Sequence, residues 1–182
     1  MNPLKTKDIL AAKKRLEGVV KHTPLEYSER LSKKYKAKVY IKREDLQPVR
    51  SYKIRGAYNL IASLDPEEQK RGVVCASAGN HAQGVALSCC MLKIKGAIFM
   101  PETTPRQKVD KVQSFGDGYV EVVLTGKTFD ECFSSAKEYE EQHSVVFVHP
   151  FDDYRTMAGQ GTIGVEILED LPTTECVIVP IG

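Results

Sequence analysis

From residue 38 onward the chain alternates between short apolar runs rich in β-branched residues and stretches of helix length. The runs fall at 38–41, 73–76, 97–100, 119–124, 145–148 and 176–181, and the helix-length stretches at 51–63, 80–93, 105–115, 128–142 and 154–170. Few architectures accept such a pattern. Parallel strands need connections long enough to hold a helix, and right-handed crossovers lay those helices on both faces of the sheet. The sequence therefore predicts an α/β fold, a parallel sheet flanked by helices. Start signals agree: Ser51, Asn80, Thr104 before Pro105, and Thr128 before Phe129-Asp130-Glu131 are residues that cap helices. Two earlier helices are expected at 6–20, opened by Thr6, and at 28–36, opened by Ser28.

Charge and composition exclude several functions. A net charge of +2 is too mild for a nucleic-acid binder. No apolar run reaches the roughly 18 residues of a membrane-spanning helix, and Met1-Asn2-Pro3-Leu4-Lys5 lacks the apolar core of a secretory signal. Cys75, Cys89, Cys90, Cys132 and Cys176 have no metal-ligand spacing and read as reduced, mostly buried thiols, which points to the cytoplasm. His22, His81, His143 and His149 also lack metal spacing, so no metal is expected. Gly79 and Gly84 have the outer spacing of a phosphate-binding P-loop, but Val85 and Ala86 stand where Lys and Ser or Thr are required. No dinucleotide fingerprint and no nucleophile elbow occurs.

Two stretches carry chemistry. In Ser51-Tyr52-Lys53-Ile54-Arg55-Gly56-Ala57 a lysine stands just inside an expected helix start, behind a serine cap. Most lysines so placed are solvated, and the positive end of the helix disfavours another cation there. The same field, with Arg55 nearby, lowers the amine pKa and favours the free amine that carbonyl chemistry and proton abstraction require. In Ser77-Ala78-Gly79-Asn80-His81-Ala82-Gln83-Gly84, small residues join an apolar strand to a helix. Such a junction can present backbone N–H groups to an anion. It can also be a plain turn in which Asn80 caps the helix and His81 packs.

Both stretches resemble signatures of the fold-type II pyridoxal-phosphate enzymes, and their wording is most similar to that of the threonine dehydratases. The first is similar to the family's cofactor-lysine motif, with Tyr52 where phenylalanine is usual, and the second to its substrate-carboxylate loop. Lys42-Arg43-Glu44-Asp45-Leu46-Gln47, Pro101-Glu102-Thr103-Thr104-Pro105-Arg106-Gln107-Lys108, His149-Pro150-Phe151-Asp152-Asp153 and Ala158-Gly159-Gln160-Gly161-Thr162 extend the resemblance over nearly the whole chain. It implies pyridoxal 5'-phosphate as cofactor. Lys53 would be its covalent attachment point and the base that removes the substrate α-proton. Asn80 would meet the cofactor's ring hydroxyl, Tyr52 would pack beside the ring, and Ser77, Gly79 and His81 would line the carboxylate pocket. The implied reaction is deamination of L-threonine to 2-oxobutanoate and ammonia in isoleucine biosynthesis, with L-serine as a second substrate. Serine dehydratase and serine racemase share these motifs and remain alternatives, as does a non-catalytic interaction domain.

The resemblance also implies a small domain at 67–152 inserted into a large one made of 1–66 and 153–182. In the family the last run leads into a glycine-rich phosphate loop whose first glycine would be Gly182. The chain is therefore expected to be an N-terminal fragment, inactive alone, of a homo-oligomeric enzyme acting on a small amino acid, with no nucleic-acid or membrane partner.

Overall fold

The computed structural model describes residues 4–180. Residues 1–3, Ile181 and Gly182 lie outside it, and with them the end of the expected last strand and the first glycine of the expected phosphate loop. The chain runs α1 (Thr6–Arg15), β1 (Leu25–Tyr27), α2 (Glu29–Tyr35), β2 (Tyr40–Lys42), α3 (Lys53–Ala62), α4 (Pro66–Arg71) and β3 (Val73–Ala76). It continues through α5 (Asn80–Leu92), β4 (Gly96–Met100), α6 (Arg106–Gly116), β5 (Val120–Leu124), α7 (Phe129–His143), β6 (Val146–Phe147) and α8 (Tyr154–Asp170). A short 3-10 turn covers Glu44–Leu46.

Strands β3 to β6 form a parallel sheet in the order β5-β4-β3-β6. Its central strands β3 and β4 are continuous apolar runs because both faces are covered, whereas edge strand β5 carries Glu121 and is only partly buried. Alternate side chains serve opposite layers: Val73, Cys75, Ile98 and Met100 pack with Val85, Ala86 and Cys89 of α5. Val74, Ala76, Ala97 and Phe99 pack with Cys132 and Ala136 of α7. The expected α/β architecture is present. Burial raises the thiols of Cys75, Cys89 and Cys132, the last two to about 12 and about 11, which makes them packing residues rather than nucleophiles.

Several local expectations need correction. The run 176–181 was expected to be a buried strand. Residues 175–180 form none, and Val177, Ile178 and Val179 are 55, 90 and 66% exposed. A strand forms only where a neighbour completes its hydrogen-bond ladder, and the described residues offer none. Helix α1 stops at Arg15 rather than 20, where the chain turns through Gly18 at φ 75°. Ser51, Asn80 and Thr104 are not caps: Tyr52, Gly79 and Pro105 hold those positions. Ser28 and Thr128 do cap their helices, the latter through a reciprocal bond with Glu131. The run expected at 38–41 appears as β2, but strand β1, its antiparallel pairing with β2 and helix α4 were not foreseen. Helix α4 has no buried residue and so no apolar periodicity; its readable signal was the capping box of Asp65 and Glu68 around Pro66.

Helix α3 is the pivot that positions the site. It crosses α8 almost backbone to backbone, since a Cβ on Gly159 would stand 2.3 Å from the Arg55 carbonyl oxygen. Close by, the fully buried Arg55 guanidinium is clamped between Glu44 (2.8 Å) and Glu166 (2.6 Å). Lys42 adds a bond of 2.7 Å to Glu166. On the other side of α3, Gly84 lets α5 close in: a Cβ there would lie 3.1 Å from Ile54 N and from the Lys53 carbonyl oxygen.

Candidate active site

The sheet order reverses at β3. The chain leaves β3 through α5 toward β4, and returns through α7 to lay β6 on the other flank. At such a switch point the loops that follow the two strands diverge and leave a crevice beyond their carboxyl ends. Here those loops are 77–79 after β3 and 148–153 after β6. The N-terminus of α3, with Lys53 as its first residue, faces this crevice.

Lys53 is half-buried. Its Nζ donates to the Pro150 carbonyl at 3.0 Å and lies 5.3 Å from the centroid of the Tyr52 ring. Burial alone lowers its pKa. The lowering matches the sequence expectation, but the cause does not include Arg55. Two residues along a helix are about 200° apart around its axis, so Arg55 points away from Lys53 and spends its charge on Glu44 and Glu166. Tyr52 packs under the amine, and its hydroxyl makes no hydrogen bond among the described residues.

The loop after β3 is built from small residues held by its own polar groups. Ser77 N donates to the Phe99 carbonyl at 3.0 Å, and Ser77 Oγ accepts from Gly79 N at 3.2 Å. A Cβ on Gly79 would meet nothing within 4 Å, so the loop borders open space. Asn80 is exposed and opens α5, four residues before Gly84 and therefore on the same face, toward α3. The first N–H groups of α5 have no partners within the helix and form a donor set for an anion.

His81 is 3% exposed, and its Nε2 donates to the Val148 carbonyl at 2.8 Å, tying α5 to the end of β6. Burial, aided by the nearby charges of Lys53 and His149, lowers its pKa to about 4, so the ring is neutral at pH 7. The sign follows from proton binding: between 6.5 and about 4 the unfolded chain binds the proton and the folded one does not. Stability therefore falls as pH drops through that window, by about 3 kcal/mol over the full shift at about 1.4 kcal/mol per pH unit. Urea midpoints measured from pH 7 to pH 4 should show this slope, and it should be absent in His81→Asn.

Sequence reasoning missed the other wall. His149 Nδ1 accepts from the backbone N–H of Asp152 at 2.8 Å, which leaves its proton on Nε2, and its ring meets Phe151 edge-on at 4.7 Å. The Pro150 carbonyl that holds Lys53 has no signature in a side-chain motif; only the string containing it stood out. The structure thus brings Lys53, Tyr52, His81, His149 and Pro150 together at one crevice, bordered by Ser77, Gly79 and Asn80.

The residues fit a carbonyl cofactor bearing an anionic group: a desolvated amine, an open loop at a helix N-terminus, and buried polar atoms awaiting partners. Ser51 Oγ, His81 Nδ1 and Gln83 Oε1 are buried without a hydrogen-bond partner among the described residues. Ser51 lies two residues before Lys53, and Gln83 adjoins Gly84. No cluster of His, Cys, Asp and Glu suited to a metal occurs among the described residues.

Comparison with known proteins bears on the cofactor rather than on these contacts. A family model described as pyridoxal-phosphate dependent enzyme matches residues 16–182. The chain is 57% identical over 171 residues to the biosynthetic L-threonine dehydratase of Halalkalibacterium halodurans, covering 94% of this chain and 41% of that one. It is 56% identical over 170 residues to the same enzyme of Bacillus subtilis, covering 93% and 40%. The chain thus spans about two fifths of the length of these relatives. Among solved structures, the processed threonine deaminase isoform 2 of Solanum lycopersicum superposes with TM-score 0.85 at 48% identity, over 91% of this chain and 44% of that one. Maize serine racemase superposes with TM-score 0.88 at 31% identity, over 94% and 51%.

Proposed function

The chain belongs to the pyridoxal-phosphate-dependent enzyme family, and from that premise we propose that it supplies the lysine-bearing site of an enzyme that deaminates L-threonine to 2-oxobutanoate and ammonia, with L-serine as a second substrate. The observation that carries the reading is the half-buried Lys53 amine, its pKa lowered by burial, at a crevice lined by a helix N-terminus. When bound, pyridoxal phosphate supplies an electron sink for negative charge at the substrate α-carbon. The chain's own residues do the rest. Lys53 holds the cofactor through its amine and, when free, takes the α-proton on Nζ. Asn80 and Tyr52 orient the cofactor ring, the first through its amide and the second by packing. Ser77, Gly79 and the backbone N–H of His81 receive the substrate carboxylate, while the neutral His81 ring, its one N–H given to the Val148 carbonyl, keeps α5 in place.

Identity above one half with threonine dehydratases, against 31% with maize serine racemase, favours this substrate. Serine racemase is the second reading, favoured by the maize structure's slightly higher TM-score. Incubating the holoenzyme with L-threonine and with L-serine separates the two. The expected products are 2-oxobutanoate and pyruvate; D-serine as the main product, with no oxobutanoate, would overturn the assignment.

We further propose that 67–152 is a small domain set into a larger one formed by 1–66 and 153–182, a division supported by the four parallel strands lying together at 73–147. No helix among the described residues is long and apolar enough to cross a membrane. A cytoplasmic homo-oligomer serving isoleucine biosynthesis completes the proposal; its biosynthetic role is supported by the naming of the bacterial relatives as biosynthetic.

Asn80 gives a sharp check. Since Gly79 occupies the cap position, Asn80→Ala should change stability by less than about 0.5 kcal/mol, as for surface sites without special contacts. Cofactor retention during gel filtration should nevertheless fall. Unchanged retention and turnover would remove Asn80 from the cofactor site.

A further inference from the structure

A lysine that serves as a base must do more than be unprotonated: its lone pair has to face the proton. Four rotatable bonds separate Nζ from the backbone, so something must aim the amine. The only hydrogen-bond acceptor that meets Lys53 Nζ among the described residues is the Pro150 carbonyl, at 3.0 Å.

That carbonyl is itself held. Gln160 Nε2 donates to it at 3.2 Å, using its second lone pair. One residue earlier, the His149 carbonyl accepts from Thr156 Oγ1 at 3.0 Å. Thr156 and Gln160 stand four residues apart on α8 and so share one face. Consecutive carbonyls of the loop after β6 are thus pinned by consecutive turns of one helix. Proline's fixed φ and missing N–H restrict the loop further at this residue.

The circuit closes on Lys53's own helix. Gly56 follows Lys53 by three residues, and a Cβ there would stand 2.9 Å from Gln160 Nε2 and 2.8 Å from Thr156 Cγ2. The absence of that carbon is what lets α8 bring both side chains over α3 to the loop.

We propose that Gln160 is a positioning residue for Lys53, acting through the Pro150 carbonyl it holds. Held this way, the neutral amine gives one N–H to the carbonyl and keeps its lone pair for the open side of the crevice. The inference rests on the reading of Lys53 as the cofactor lysine, but its central contact does not. The titratable groups facing Lys53 are His81 from α5 and His149 from the loop, both of which feel its charge. Asp152 and Asp153 lie further along that loop, where Arg155 pairs with Asp153 at 2.9 Å.

The test begins with protein free of cofactor. Competitive acetylation across pH, read by mass spectrometry on the peptide holding Lys53, gives the midpoint of that amine. Gln160→Glu keeps the shape of the side chain and puts a carboxylate beside the amine's acceptor, so the midpoint should rise by about one pH unit or more. A side chain turned away from the Pro150 carbonyl would not move it, and the kcat-against-KM split of Gln160→Met separates positioning from mere nearness. In the holoenzyme, Gln160→Met removes the donor at similar volume. Borohydride trapping at Lys53 should persist while kcat falls at least about tenfold and KM stays within about threefold, as for loss of an interaction made in the transition state. A Gln160→Glu midpoint equal to wild type overturns the proposal, whether or not Gln160→Met folds. Borohydride labelling of a different lysine would instead overturn the cofactor assignment, while a shifted Lys53 midpoint would still establish the Gln160 contact.

Discussion

Lys53→Ala should lower threonine deamination by about 10³-fold or more, since one substitution removes both the covalent tether and the general base. The fold should survive. Alanine is the best helix former at the first position of α3, and the lost bond to Pro150 is offset by removing a poorly solvated amine, so stability should change by no more than about 1 kcal/mol. The decisive measurement is borohydride reduction of the holoenzyme followed by peptide mapping. In the wild type the label belongs on Lys53, and in Lys53→Ala it should vanish rather than move to Lys42 or Lys108. A variant that keeps turnover above about one tenth of wild type would exclude Lys53 as the base.

Arg55→Met has the opposite profile. Arg55 is wholly buried, with Glu44 and Glu166 both bonded to its guanidinium. Methionine leaves two carboxylates facing an apolar side chain, and only Glu166 keeps another cation, Lys42. Removing one member of such a buried group costs about 3–5 kcal/mol, largely because the remaining charges lose their compensation. Urea midpoints should report that loss at pH 7. The pH dependence identifies its origin. Burial by itself would raise the Glu166 carboxyl, but hydrogen bonds from Arg55 and Lys42 outweigh it and hold the pKa below the usual 4.5. This contribution is therefore complete above pH 4.5 and is lost as pH falls through the lowered folded value. The gap between wild type and Arg55→Met should narrow below that pH. A gap that stayed constant into acid would mean that packing, not charge, sets the cost.

The central strands were legible because buried parallel strands are apolar throughout, and β3 appears at the residues the sequence indicated, 73–76. The helix starts were less so. A serine or asparagine near a boundary suggests a cap, but at Ser51 and Asn80 the cap position falls one residue away, on Tyr52 and Gly79, and neither helix start has a side-chain cap bond. Arg55 shows a deeper limit. Closeness to Lys53 in sequence suggested an electrostatic neighbour, whereas helical rotation makes it the anchor of a separate cluster. The motif residues of the crevice could be found because their side chains are distinctive. The carbonyls of Val148 and Pro150 could not, since every residue has one and only the fold decides where it points. Thr156 and Gln160 fall into the same blind spot, because their partners are backbone atoms of another element.

The hydrogen bond between Lys53 and Pro150 links residues 97 positions apart. Strand β6 pairs with β3 across a comparable stretch, Val73 lying opposite Val146. Closing so long a loop is entropically slow, and contacts of high sequence separation are expected to form late in folding. The strand–helix–strand progress from β3 through β4 to β5 can assemble from neighbours in sequence, but the crevice cannot. It comes into being only when α7 has crossed the sheet and set β6 against β3. A partly folded chain would therefore carry a correct strand core and an unguarded lysine, so the reactivity of that single amine doubles as a clock for the last step of folding.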